Sequence, residues 1–98
     1  MTDVFGTEIA FRLGPGSDER AREVAARLAQ ASAGCLRQTL FLNDEGAYGV
    51  LAEWEHRSDA DGFVDRPGVV AVLDRLEEDL GRRPSVHVYR LEATPPRP

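Results

Sequence analysis

The sequence predicts an α+β domain in which a four-stranded antiparallel sheet carries its helices on one face. Segments of strand-type alternation and helical spacing follow one another as strand, helix, strand, strand, helix, strand. The middle pair of strands is joined by a short turn-rich loop, which makes them a hairpin. The stretch 48–56, YGVLAEWEH, has large apolar groups on both of its faces, so it reads as an inner strand covered on both sides.

Residues 4–13 read as the first strand. Phe5, Thr7, Ile9, Phe11 and Leu13 form a bulky face suited to meeting helices, and the other face is small and mixed. Gly14-Pro15-Gly16 breaks the strand. Ser17 is placed to cap a helix, with Asp18 and Glu19 in the first turn where the helix dipole favours anions. That helix runs to about Ser32 on a stripe of Ala21, Val24, Ala25, Leu28 and Ala29, and Gly34 follows as a stop. Residues 35–43 form the second strand, Asp44 to Ala47 the loop, and 48–56 the third strand. Pairing Asn43 with Tyr48 sets Phe41 opposite Val50, Thr39 opposite Ala52 and Arg37 opposite Trp54. A one-residue slip would exchange the faces. Ser58-Asp59-Ala60-Asp61 resembles a capping box for a short helix through Phe63 and Val64. After Pro67-Gly68 a longer helix buries Val69, Val70, Val72, Leu73, Leu76 and Leu80, and Gly81 ends it. Residues 85–93 are the last strand, and 93–98 read as a frayed, proline-rich tail to a single domain spanning 1–98.

This order is the ferredoxin-like βαββαβ plan. Right-handed crossovers put both helices on one face and make the first and third strands central. The bare face is then expected to carry Leu36, Leu40, Leu42, Leu51, Val86 and Val88. Such a patch calls for a partner, and a second copy meeting it sheet to sheet is the simplest.

Composition narrows the partners. All twelve basic residues are arginines, yet the net charge is −5, which argues against nucleic acid. No apolar run approaches the ~20 residues of a membrane span, and no basic-then-apolar leader opens the chain, so the expected location is the cytoplasm. The lone Cys35 excludes an internal disulfide and a cysteine-based zinc site. His56 and His87 stand far apart and no His-Glu spacing of a known type appears, so no metal site is expected.

The run Tyr48-Gly49-Val50-Leu51-Ala52-Glu53-Trp54-Glu55, followed by Ser58, Ala60, Phe63 and Pro67, resembles the antibiotic biosynthesis monooxygenase superfamily, the dimeric α+β barrels. In that family an acidic residue and a Trp end the third strand, and a short helix with a Phe follows. The likeness extends over residues 4–92. It implies a homodimer that binds a small aromatic substrate, often a polyketide anthrone or quinol, between sheet and helices. The substrate anion itself reduces dioxygen, with neither metal nor flavin. The protein's share is a dry pocket and donors for an oxyanion. On the inferred register Trp54, Arg37 and Thr39 are the candidate catalytic residues. Phe11, Phe41, Tyr48, Val50, Phe63 and Tyr89 are the candidate substrate contacts.

Two departures bear on activity. Oxygenases of this type often carry an Asn four residues before the Trp, where this chain has Val50. The haem-degrading branch needs an Asn on the first strand and a His on the second helical segment, and neither is here. Two main readings follow: a cofactor-independent monooxygenase, or a non-catalytic dimeric module that binds a small ligand or a partner; an isomerase or cyclase on the same scaffold ranks behind both. An open cavity beside Trp54 would favour the first, and a Trp54 packed into a filled core the second.

Overall fold

The computed structural model describes residues 3–96. The elements are β1 (Val4–Arg12), α1 (Asp18–Gln30), β2 (Arg37–Phe41), β3 (Ala47–Trp54), α2 (Arg57–Gly62), a single 3₁₀ turn at Phe63–Asp65, α3 (Pro67–Leu80) and β4 (Ser85–Leu91). The sheet order is β2-β3-β1-β4, with every neighbour antiparallel. β1 and β3 are therefore central, as the element order predicted. The residues that follow β4, 92–96, have no regular secondary structure, and the end of the expected tail, 97–98, lies outside the described residues.

Alternation along β1 and β3 builds the core. Phe5 pairs with Trp54, Thr7 with Ala52, Ile9 with Val50 and Phe11 with Tyr48, all on the helix side. Against them lie Leu28 of α1, Phe63, and Val69, Leu73 and Leu76 of α3, all buried. The small buried residues Ala21 and Ala25 let α1 approach closely. Thr7 is the buried polar exception: its Oγ1 donates to the Ala60 carbonyl at 2.6 Å and ties β1 to α2. α3 starts on Pro67, whose missing N–H costs nothing at a first helical position. It ends on Gly81 at φ 71°, whose N–H bonds the Glu77 carbonyl at 2.8 Å.

The hairpin register differs by one residue from the expectation. Phe41 faces Gly49, Leu40 faces Val50, Thr39 faces Leu51, Gln38 faces Ala52 and Arg37 faces Glu53. The loop is 42–46, not Asp44 to Ala47. Asn43 Oδ1 accepts the Glu45 N–H at 2.6 Å, and the Gly46 N–H bonds the Asn43 carbonyl at 3.0 Å. Gly46 sits at φ 84°, and a Cβ there would collide with the backbone of Gly14, so this residue must close the turn. Side chains agree with the slip. Gln38 Nε2 donates to the Ala25 carbonyl of α1 at 2.8 Å, while Arg37 pairs with Glu53 at 2.7 Å on the other face.

The slip takes Leu40 off the open face and packs it against the core; Val86 and Val88, also expected on that face, pack against the core because β4 pairs them with Ile9 and Thr7 of the helix-side row. Leu36 and Leu42 flank β2 and are exposed. By register the open face carries Val4, Thr39, Phe41, Leu51, Tyr89 and Leu91 together with Glu8, Arg37, Glu53 and His87, with Phe41 44% and Tyr89 43% exposed. A Cβ at Gly6 would stand 2.8 Å from Leu51 and 2.9 Å from Leu91, so the glycine lets both leucines close over the strand.

Both expected N-caps also differ. Ser17 precedes α1 but makes no side-chain cap; its Oγ donates back to the Leu13 carbonyl at 3.4 Å. α2 begins earlier than Ser58, at Arg57, after His56 in an extended conformation, and no side chain caps it.

Candidate functional site

The predicted site residues fall on opposite sides of the sheet. Trp54, Phe63, Val50, Phe11 and Tyr48 lie in the sheet–helix layer. Arg37, Thr39, Phe41 and Tyr89 lie on the open face. Arg37 therefore does not reach Trp54: its side chain is 72% exposed and held by Glu53. Thr39 is beside Leu51 rather than in the layer. His56 is exposed ahead of α2, and His87 is exposed next to Tyr89, with ring centroids 6.1 Å apart. Among the described residues no three His, Cys, Asp or Glu side chains converge to hold a metal ion.

The layer has two ends. At one, Trp54 is completely buried, and its ring meets that of Phe63 at 5.1 Å with a 54° tilt. Over the indole lies the Arg66 guanidinium, 4.8 Å from the ring centroid and 5.8 Å from that of Phe63. Arg66 comes from the junction between the 3₁₀ turn and α3. Its Nη1 donates at 2.9 Å to the carbonyls of both Ala31 and Ala33, just past the C-terminal end of α1. A cation there is favoured by the helix dipole. Its outer side borders a shallow groove of about 770 Å³ between the end of α1 and the start of α3. The Trp54 indole N–H is buried and has no hydrogen-bond partner among the described residues. An unpaired buried donor costs about 1–3 kcal/mol.

At the other end Phe11 stacks near Tyr48, centroids 6.1 Å apart at 28°. The Tyr48 hydroxyl donates to Asp18 Oδ1 at 2.9 Å and accepts the Ser17 N–H at 3.2 Å. Burial, and then the Asp18 carboxylate, push the phenol above its ordinary value. Beside it opens a groove of about 430 Å³. Phe11, Leu80 and Pro84 are among its apolar lining, and Arg12, Arg82 and Arg83 are its cationic part.

Sequence reasoning missed Arg66 and Gln38. The available signal for Arg66 was its place immediately before Pro67, where the side chain of a cap residue turns back toward the preceding turn. Gln38 had a signal too: it shares a β2 face with Leu40, opposite Arg37, and its side chain is long enough to reach an alanine-rich helix.

No family model matches the chain, and no curated protein matches it. Solved structures do. A conserved protein from Methanosarcina mazei Go1 superposes with a TM-score of 0.71 at 14% identity, covering 93% of this chain and 95% of that one. SnoaB, a cofactor-independent oxygenase from Streptomyces nogalater, gives 0.66 at 18% identity over 100% and 99%. A Caulobacter crescentus CB15 protein, provisionally named an antibiotic biosynthesis monooxygenase, gives 0.69 at 16% identity over 94% and 92%. The chain has the fold of the antibiotic biosynthesis monooxygenases. Among the described residues no helix is long and apolar enough to cross a membrane.

Proposed function

We propose that this protein is a homodimeric, cofactor-independent oxygenase acting on an electron-rich aromatic small molecule of polyketide type, in the cytoplasm. One observation carries the reading. A completely buried indole N–H without a partner stands beside a guanidinium in an apolar corner of this fold. Such a pair would stabilise an aryl oxyanion once the closed corner opened to admit the ring. For an anthrone the balance is a methylene plus dioxygen giving a ketone plus water. The substrate gives up a proton, its anion supplies the electrons, and one oxygen atom of O₂ stays on carbon. Because Arg37 and Thr39 lie across the sheet, the donor role passes to Trp54 and Arg66. Val50 and Phe63 remain as walls, whereas Phe11 and Tyr48 lie at the far end of the layer, six residues along β1 from the Phe5–Trp54 pair, and drop out of this site.

Oxygen uptake with dithranol and related anthrones tests the reading. Uptake should depend on the protein. Trp54→Phe, which keeps the ring and deletes the donor, should slow it about a hundredfold or more. No protein-dependent uptake with any anthrone overturns it.

A second reading, a non-catalytic dimeric module for a ligand or partner, is favoured by the filling of the Trp54 end: Val50, Trp54 and Phe63 have essentially no exposed surface. Homodimerisation belongs to both readings. Its support is the open sheet face, where Phe41 and Tyr89 are exposed and Leu51 and Leu91 half-buried. Sedimentation at micromolar concentration should give a dimer, and Leu51→Arg a monomer, since an unpaired charge would be buried at the interface. A monomeric wild type removes the dimer from both readings.

A further inference from the structure

The groove at the Phe11 end is a second site. Trp54 pairs with Phe5, and Phe11 lies six residues further along β1, about 20 Å away at ~3.3 Å per residue. The groove is therefore separate from the Trp54 corner. Its volume, about 430 Å³, falls in the range of small-molecule pockets. Phe11, Leu80 and Pro84 offer apolar surface, and the small side chains of Ala10, Ala47 and Ser85 leave width.

Its charge is the informative part. The chain carries a net charge of −5, yet three arginines line this one groove. Arg83 is committed elsewhere. Its Nη1 stands 2.8 Å from both Asp74 and Glu77, and those hydrogen bonds raise its pKa and occupy its charge. Arg12 and Arg82 form no salt bridge among the described residues. Arg12 makes one long bond, 3.4 Å, to the Glu45 carbonyl, and both side chains belong to exposed residues. Two guanidinium-bearing residues without a carboxylate partner share the groove lining with half-buried Leu80 and the edges of Phe11 and Pro84, which matches one ligand chemistry. A planar carboxylate takes bidentate bonds from a guanidinium, and a ring meets the apolar lining.

We propose that this groove binds an aromatic carboxylate, with Arg12 and Arg82 on the carboxylate and Phe11, Leu80 and Pro84 against the ring. The proposal does not require oxygenase chemistry at Trp54.

The test uses 2-naphthoate as the probe, titrated into the full-length protein and followed by calorimetry and by amide chemical shifts. The expected result is one site per chain, with the largest shifts around Phe11, Leu80 and Ser85. Arg12→Gln combined with Arg82→Gln should weaken binding about tenfold or more, as should replacing the probe by uncharged 2-naphthalenemethanol. Acetate, which has the charge without the ring, should fail to compete at equal concentration. Trp54→Phe should leave naphthoate binding unchanged, so this site stands or falls apart from the oxygenase reading. Unaltered affinity in the double variant, equal affinity for the alcohol, shifts centred on Trp54 and Phe63, or no binding would each overturn the proposal.

Discussion

The two ends of the sheet–helix layer solve the same packing problem in opposite ways. At the Trp54 end, two aromatic rings, a stacked guanidinium and the α2 tie from Thr7 leave the interior closed. At the Phe11 end the rings are further apart, the helix is held by a polar contact through Tyr48, and a groove stays open. The difference teaches that the group best suited to chemistry and the surface best suited to entry are not the same place. The unpaired donor is buried at the closed end, and the free cations line the open one.

The largest test of that contrast is cavity cost. Phe63→Ala removes a ring from the closed end and should cost about 3–5 kcal/mol in urea unfolding. Leu80→Ala, half-buried beside the groove, should cost roughly half as much or less, since less contact is lost. Equal losses would mean that the two ends are packed alike. A smaller effect separates hydrogen bonding from packing. Thr7→Val keeps the shape but leaves the buried Ala60 carbonyl unpaired, which should cost about 1–3 kcal/mol. No loss would show that the tie to α2 contributes nothing to closing the Trp54 end.

The layer was legible in the sequence because its signals are local. Phe5, Thr7, Ile9 and Phe11 alternate, as do Tyr48, Val50, Ala52 and Trp54, and both rows face the helices as the alternation required. The β2 register was not legible, because β2 reads plausibly on either face. Leucine and glutamine alternate with arginine, threonine and phenylalanine there. Apolar counting alone put Leu40 outside. The deciding facts are long-range: Gln38 reaching the Ala25 carbonyl, and Gly46 pressed on the Gly14 backbone. That one-residue slip carried Arg37, Thr39 and Phe41 to the wrong side of the candidate site and removed Leu40 from the expected dimer face. Arg66 was hidden for a similar reason. Its neighbours in sequence are acidic or small, and its two carbonyl partners lie more than thirty positions earlier.

The subtlest test concerns the open end and its polar contact. Tyr48 is an acid whose proton the fold retains: burial first, then the hydrogen bond to Asp18, hold its pKa above the ordinary 10.0. The sign follows from proton counting. Below pH about 10 both folded and unfolded chains keep the proton, and the contact contributes in full. As pH rises past that value, the unfolded chain ionises first, so stability falls until the folded phenol also titrates. The wild type should therefore lose stability above pH about 10 more steeply than Tyr48→Phe, measured by urea midpoints at matched ionic strength. The phenolate absorbance lost in Tyr48→Phe should also appear only above that pH. If that absorbance appears at or below it, Tyr48 is hydrated rather than enclosed. The open end would then reach inward past Phe11 to the foot of α1, and the contrast between the ends would be sharper than the packing alone indicates.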